Sequence, residues 1–269
     1  MLLEIKNLSL EYKRGNQIIP ALKNISLILN AGENLGLVGE SGCGKSSLAL
    51  AILRLIDSRE GKITSGSILW NGKNLLDFSL EDLRDIRGKE IAIVFQDPFS
   101  SLNPVMTVGT QIEEAMRCHN TNIPPKELKE RALHLLAQVH IKESERICHS
   151  HPHQISGGQR QRALIAMAIS NHPQLLICDE PTTALDVTIQ KEILDLLTQL
   201  QKDLHMTILF ITHHLGIIAK YSQRLAVLHG GEIVEAGETF LILKNPQAPY
   251  TQKLIAAIPK RKFKNGKIN

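Results

Sequence analysis

A glycine-rich segment, GESGCGKSS at residues 39–47, is the feature that most restricts how this chain can fold. It fits the spacing G-x-x-x-x-G-K-[ST] through Gly39, Gly44, Lys45 and Ser46, between an apolar strand pattern and a helical pattern. Glycines allow successive backbone N–H groups to converge on phosphate oxygens, and the following helix adds the positive end of its dipole. The segment therefore predicts a phosphate-binding loop that joins a strand to a helix.

The remaining pattern predicts an α/β fold, because short apolar strands alternate with helical stretches. The apolar stretches lie at 33–40, 90–96, 174–180 and 206–213. Their near-continuous Val, Ile and Leu runs are typical of parallel strands covered on both faces. Residues 224–237 predict a hairpin across Gly230-Gly231.

Two regions depart from this alternation. The first thirty residues alternate with a period of two, which predicts a half-solvated antiparallel sheet. Between residues 97 and 165 the strand signals vanish and helical patterns replace them. We therefore expect a phosphate-loop core with an N-terminal antiparallel β subdomain and an inserted α-helical subdomain. The predicted boundaries are 1–96 and 166–240 for the core, 97–165 for the helical subdomain and 241–269 for a C-terminal segment.

Composition excludes several classes of protein. With 269 residues, 43% of them apolar, the chain is neither disordered nor a small secreted scaffold. The net charge of +4 comes from the last ten residues, and the remainder holds 26 basic against 27 acidic residues. A near-neutral body gives no indication of a nucleic-acid partner. The chain begins without a signal-peptide pattern and has no apolar run of about 18 residues, so we expect it in the cytosol, reaching any membrane through a partner.

Two carboxylates follow one of the buried strands. Asp179 and Glu180 end the apolar run LLICDE. In enzymes with a phosphate loop, an aspartate at this place completes the shell of Mg²⁺. A glutamate beside it is suited to polarise an attacking water.

The motif SGGQRQR at 156–162 stands between this loop and LLICDEPTTALD, and here the chain resembles the ATP-binding cassette (ABC) proteins. The resemblance covers about residues 1–240, with Gln96 of VFQDP and His213 of ITHH in the family's order. Residues 96–112 and 245–259 resemble the ATPase subunits of oligopeptide, dipeptide and nickel importers. The chain departs from the family pattern at His214, where an aspartate is usual, and at Ala248, where a histidine is usual.

The resemblance implies ATP and Mg²⁺ as ligands, held between two cassettes that dimerise head to tail. The implied catalytic residues are Glu180 as general base, with His213 and Gln96. Ser46, Gln96 and Asp179 would hold Mg²⁺. The implied nucleotide contacts are Tyr12, Gly39, Glu40, Ser41, Gly42, Cys43, Gly44, Lys45, Ser46 and Ser47, and across the dimer Ser156, Gly157, Gly158, Gln159 and Asp186.

The implied partners are a second ATPase subunit, identical or related, two transmembrane permease subunits and, indirectly, a solute-binding protein. The resemblance also implies a peripheral location at the cytoplasmic face of the inner membrane. Two other classes stay open: an ATPase of an export system and a cassette with no transport role. Tyr12 either stacks on adenine or simply packs in its strand.

Two clusters carry weaker hypotheses. CHSHPH places Cys148, His149, His151 and His153 within six residues, which are possible ligands of Zn²⁺ or Ni²⁺. We favour a plain loop, because Pro152 restricts the backbone and one short loop seldom closes a tetrahedral site. Cys43 is a candidate for oxidation if Lys45 and the helix start lower its pKa, and otherwise a tolerated small residue.

Overall fold

A computed structural model of the chain describes residues 1–183 and 185–257, together with two short strands at 263–264 and 267–268. The backbone divides into two compact units, Met1–Leu83 with Thr207–Asn269, and Arg84–Met206. Across the residues described, the longest helices are too short or too polar to traverse a lipid bilayer. The last ten residues, which carry the excess positive charge, lie outside the described residues apart from the backbone of those two strands.

The strands are β1 (Leu3–Arg14), β2 (Gln17–Leu29), β3 (Asn34–Val38), β4 (Gly61–Trp70), β5 (Lys73–Asn74), β6 (Ile91–Val94), β7 (Leu175–Asp179), β8 (Thr207–Thr212), β9 (Arg224–His229), β10 (Glu232–Glu238), β11 (Phe263–Lys264) and β12 (Lys267–Ile268). The helices are α1 (Lys45–Ile52), α2 (Leu80–Ile86), α3 (Pro98–Ser101), α4 (Val108–Arg117), α5 (Pro125–Gln138), α6 (Ser144–His149), α7 (Gly157–Ile169), α8 (Val187–Asp203), α9 (Leu215–Tyr221), α10 (Thr239–Lys244) and α11 (Pro249–Ala256). Single 3₁₀ turns occur at Leu75–Asp77 and Pro152–Gln154.

An antiparallel sheet in the order β2-β1-β4-β5 begins the first unit, as the period-two pattern predicts. Its buried face includes Leu3, Ile5, Leu8 and Leu10 of β1. The step from 5 to 8 breaks the period of two, so β1 must contain a bulge to keep these side chains on one face. The sequence pattern did not predict β4, which lies beside β1.

Two residues with positive φ form this bulge. Asn7 has φ 49°, and Gly66 on β4 has φ +93°. A side-chain carbon on Gly66 would lie 2.5 Å from the carbonyl oxygens of Lys6 and Asn7. Asn7 is also held by Ser26, whose Oγ accepts the Asn7 N–H at 3.1 Å. The bulge therefore requires glycine at residue 66.

Parallel strands form the second layer of this unit. β3 pairs with β8 on one side and with β9 on the other, and both pairs are parallel. Every residue of β3 and β8 is buried, as expected for strands covered on both faces. β9 and β10 form the predicted antiparallel hairpin across Gly230-Gly231.

The second unit contains the parallel pair β6 and β7 and most of the helices. Helices α4 to α7 occupy the stretch in which strand signals vanish. The domain boundaries given above are untested by these units and stay a prediction. The mixture of parallel strands, an antiparallel sheet and helices agrees with the predicted α/β class.

The bulge yields a test of stability. We expect Gly66→Ala to lower the free energy of unfolding by about 3 kcal/mol, because the methyl meets two carbonyl oxygens and φ stays positive. Gly72 is the matched control, with φ +81° and no atom within 4 Å of the added carbon. Gly72→Ala should cost about 1 kcal/mol, the penalty for the conformation alone. Urea unfolding followed by circular dichroism measures both, and equal losses would contradict the close approach.

Candidate nucleotide site

The glycine-rich loop leaves the end of β3 and enters α1. Gly42 and Gly44 have φ +79° and +109°, which side chains disfavour. A side-chain carbon on Gly44 would lie 2.5 Å from the Ala21 carbonyl oxygen, and one on Gly39 would collide with the Leu228 carbonyl oxygen. At Gly42 an added carbon would point into open space. The loop is thus packed against β2 and β9 at its two ends and is open in the middle, which suits an anion held by backbone N–H groups.

The Lys45 ammonium bridges two carbonyl groups at the start of the loop. Its Nζ donates hydrogen bonds to the carbonyl oxygens of Gly39 and Glu40, both at 2.8 Å, and the side chain is buried. A buried ammonium needs such partners to offset its desolvation. Ser46 and Ser47 follow in the first turn of α1, where the helix dipole favours negative charge.

His213 lies at the same sheet edge as the loop. Val38, the last residue of β3, pairs with Thr212, the last residue of β8, in parallel register. Gly39 and His213 therefore leave neighbouring strand ends side by side. The His213 ring is exposed and faces His214 at 6.0 Å between centroids.

In the second unit, the acidic pair Asp179 and Glu180 lies where the parallel strands β6 and β7 end. Val94 of β6 pairs with Cys178 of β7, so Gln96 and Glu180 emerge close together. The Gln96 Nε2 donates a hydrogen bond to Glu180 Oε2 at 3.3 Å. Asp179 is buried at the end of β7.

The backbone of Glu180 adopts an unfavourable conformation. Its φ is 48°, the left-handed region that non-glycine residues seldom adopt. Thr183 Oγ1 donates to Glu180 Oε2 at 2.7 Å. The sequence reasoning missed Thr183, although it lies in the segment PTT directly after the two acids. Two donors on one carboxylate oxygen fix the orientation of the group.

The predicted signature residues lie at the start of α7. Ser156 caps this helix, since its Oγ accepts the Gln159 N–H at 3.3 Å. In return, Gln159 Oε1 accepts the Ser156 N–H at 3.0 Å. Gly157 and Gly158 form the first turn, and a carbon added to Gly158 would lie 3.0 Å from Ile189. Side chains are thus absent where this half-buried turn meets α8.

Asp186 caps α8. Its Oδ1 accepts the Ile189 N–H at 2.9 Å, and the side chain is exposed. Residue 184, two positions earlier in the TALD motif, lies outside the described residues. The hydrogen bond from the Ile189 N–H fixes the Asp186 carboxylate at the end of the loop after β7.

Tyr12 is half-buried and packs in its sheet. Gly61 lies opposite it on β4, and a carbon added to Gly61 would lie 2.8 Å from the Tyr12 ring. This is the contact that strand packing requires. Stacking on adenine stays a prediction.

Of the two alternatives for Cys43, the activated thiol with a low pKa is wrong. Burial raises the pKa of this thiol above its ordinary value and outweighs the opposing effect of Lys45. The thiol packs beside Gly39 instead of facing solvent. Cys43 is therefore a small packing residue of the loop, not an activated thiolate.

The CHSHPH cluster is tied into its own surroundings. Cys148 is buried against Gly109 of α4, and burial raises its pKa. His149 Nδ1 lies 2.7 Å from the Glu145 carbonyl oxygen, while the rings of His151 and His153 stack at 5.6 Å. Within the described part of the chain, the structure gathers no three His, Cys, Asp or Glu side chains in a geometry that would hold a metal ion.

The donors predicted for Mg²⁺ are the hydroxyl of Ser46, the carboxylate of Asp179 and the amide oxygen of Gln96. Oxygen donors of this kind suit a hard divalent cation. The donor chemistry therefore fits magnesium.

Comparison with known proteins identifies the family. Residues 22–183 match the family described as ABC transporter. The chain belongs to the ABC transporter family. It is an ATPase with the cassette fold, and ATP is the nucleotide that this fold binds.

Curated relatives and solved structures agree with this assignment. The oligopeptide transport ATP-binding protein OppD of Bacillus subtilis is 46% identical over 258 residues, which are 96% of this chain and 72% of the relative. The dipeptide transport ATP-binding protein DppD of Lactococcus lactis is 44% identical over 257 residues, 96% of this chain and 73% of the relative. The dimeric post-hydrolysis state of the cassette MJ0796, bound to ADP and Pi, matches with a TM-score of 0.79 and 31% identity, covering 88% of this chain and 99% of that one.

Removal of the loop ammonium tests its role. We expect Lys45→Ala to weaken ADP binding by about 10- to 100-fold, because a charge-assisted contact to the phosphates is lost. Titration calorimetry with ADP measures the affinity. Lys202→Ala, at an exposed lysine in the last turn of α8, is the matched control and should bind ADP normally. Equal affinity in both variants would remove Lys45 from the site.

Proposed function

We propose that the chain is the ATP-binding subunit of an ABC importer that takes up peptides or, as an alternative cargo, nickel or a related small solute. The main support is 46% identity to an oligopeptide transport ATP-binding protein across 96% of the chain. Residues 96–112 and 245–259 add to this support, since they resemble importer ATPases. The ATPase supplies energy, while the binding protein and permease select the cargo.

Within the site, the loop from Gly39 to Ser47 would bind the phosphates of ATP through backbone N–H groups. Lys45 would exchange its contacts to the loop carbonyls for the β- and γ-phosphates. Ser46, Asp179 and Gln96 would hold Mg²⁺, which when bound neutralises charge that develops on the phosphates.

Hydrolysis would use Glu180 as general base. A water oxygen forms a bond to the γ-phosphorus, and its proton passes to the Glu180 carboxylate. The bond between the γ-phosphorus and the β–γ bridging oxygen breaks, so ADP leaves with that electron pair. His213 would contact the γ-phosphate, and Gln96 would orient the water. The hydrogen bond from Gln96 to Glu180 supports this pairing.

A second cassette would complete the site. Ser156, Gly157, Gly158 and Gln159 would approach the γ-phosphate bound by the other subunit, at the positive end of α7. Asp186 would cross the same interface. The dimeric form of the similar cassette MJ0796 supports this arrangement. The partner is either a second copy or a related ATPase.

Two permease subunits would carry the cargo through the membrane, with a solute-binding protein delivering it. The cassette would then lie peripherally at the cytoplasmic face of the inner membrane. The predicted helical subdomain, residues 97–165, would transmit the nucleotide state to a permease. The OppD and DppD names, which belong to transport systems, support this part of the proposal.

Exchange of the proposed base tests the chemistry. We expect Glu180→Gln to lower the rate of phosphate release by about 10²- to 10⁴-fold, because an amide cannot take up the proton. ATP binding should persist, since the phosphate loop is unchanged. Glu130→Gln, at an exposed glutamate of α5, is the control and should hydrolyse ATP normally. Full turnover by the Glu180 variant would remove this residue as the base.

Co-purification tests the transport role. We expect the tagged Glu180→Gln chain, captured with ATP from detergent-solubilised membranes, to carry two permeases and an ATPase subunit, identified by mass spectrometry. A parallel capture of the Lys45→Ala chain should recover less of the ATPase partner. Recovery of ribosomal or DNA-repair proteins without any membrane subunit would contradict transport and leave the ATPase chemistry intact.

A further inference from the structure

The phosphate loop has a neighbour from the far end of the chain. Tyr250, the second residue of α11, accepts a hydrogen bond from the Glu40 N–H to its hydroxyl oxygen at 3.2 Å. The Glu40 carbonyl oxygen accepts from Lys45 Nζ. Glu40, the second residue of the loop, is thus held at its N–H by Tyr250 and at its carbonyl by Lys45. Burial and the Glu40 carboxylate raise the pKa of Tyr250 above its ordinary value, and the hydroxyl is protonated at neutral pH.

The Tyr250 ring is itself fixed. It stacks on His229, with ring centroids 3.8 Å apart and an angle of 21° between the planes. His229 ends β9, and the carbonyl of the preceding residue, Leu228, is the one that meets Gly39. The same strand end therefore supports both the loop and the ring that contacts it. A stacked ring has little freedom, so the position of the hydroxyl is set before any ligand arrives.

The segment before Tyr250 is anchored to β10. Glu235 accepts N–H groups from Gln247 at 2.8 Å and from Ala248 at 3.1 Å, one on each carboxylate oxygen. Ala248 is the cap residue of α11. Burial alone would raise the pKa of Glu235, but these two N–H bonds outweigh it and the pKa lies below its ordinary value, so the carboxylate is charged at neutral pH. α11 thus begins at a fixed point on the sheet.

We propose that Tyr250 is a positioning residue of the nucleotide site, which holds the Glu40 peptide so that the phosphate loop is preformed. The importer-type segment 245–257 is then a support of the ATP site, besides any other role it has. This rests on the binding of nucleotide by the loop. Tyr250 acts through Glu40 and Lys45 and takes no part in the chemical step.

The experiment removes only the hydroxyl. Tyr250→Phe keeps the stacking on His229 and deletes the acceptor for the Glu40 N–H. We expect the ADP dissociation constant of the full chain, measured by titration calorimetry, to rise about 3- to 10-fold, as for one lost hydrogen bond that orders the site. The KM for ATP should rise similarly, while kcat stays within about twofold, because Tyr250 does not touch the reacting atoms.

The matched control is Tyr221→Phe. The Tyr221 hydroxyl accepts from Lys220 Nζ at 2.7 Å in the same unit, and its loss should leave the ADP affinity unchanged. If the melting temperature falls equally in both variants but only Tyr250→Phe loses affinity for ADP, the effect belongs to the site and not to general stability. Unchanged affinity of Tyr250→Phe, in a wild-type chain that binds ADP, overturns the inference alone. Failure of the wild-type chain to bind ADP would instead overturn the function on which it rests.

A double-mutant cycle tests the route of the effect. Glu40→Pro removes the N–H that Tyr250 accepts, so Tyr250→Phe should cause no further loss of ADP affinity in that background. Additive losses would show that Tyr250 acts on the site by another path and would contradict the proposal.

Discussion

The site depends on one ammonium group enclosed by the loop that precedes it. Lys45 is buried and would be costly to desolvate without the carbonyl oxygens of Gly39 and Glu40. Those carbonyls converge only because the backbone at Gly39 passes directly under the end of β9, where any side chain would collide. The loop is therefore not an independent motif. Its shape is imposed by the strands around it.

Parallel register explains how chemistry gathers at the strand ends. In the first unit the ends of β3 and β8 are paired, and the phosphate loop and His213 follow them. In the second unit the ends of β6 and β7 are paired, and Gln96 meets Glu180. Reactive groups separated by many residues thus become neighbours through backbone pairing alone. Each buried strand places the residue that follows its carboxyl end at the same edge of the sheet.

The parts of the fold that the sequence predicted are those with local signals. Apolar runs located β3, β6, β7 and β8, and glycine spacing located the loop. The sequence did not predict β4, because Gly66 and the two serines that flank it interrupt the apolar alternation, although the bulge opposite requires that glycine. The sequence left two alternatives for Cys43, because the burial that raises its pKa is a tertiary property. The contact of Tyr250 with Glu40 joins residues 210 positions apart, and no pattern within either segment signals it.

The cap of α7 restricts which residue can stand at its head. Ser156 uses its oxygen to accept the Gln159 N–H, and a hydroxyl still carries a hydrogen to donate. An aspartate would cap the helix equally well, but it has no hydrogen to give and would repel a phosphate. A glycine would lack both functions. In the proposed dimer this position therefore requires a hydroxyl. The same oxygen must accept a hydrogen bond from its own helix and donate one to the nucleotide bound by the other subunit.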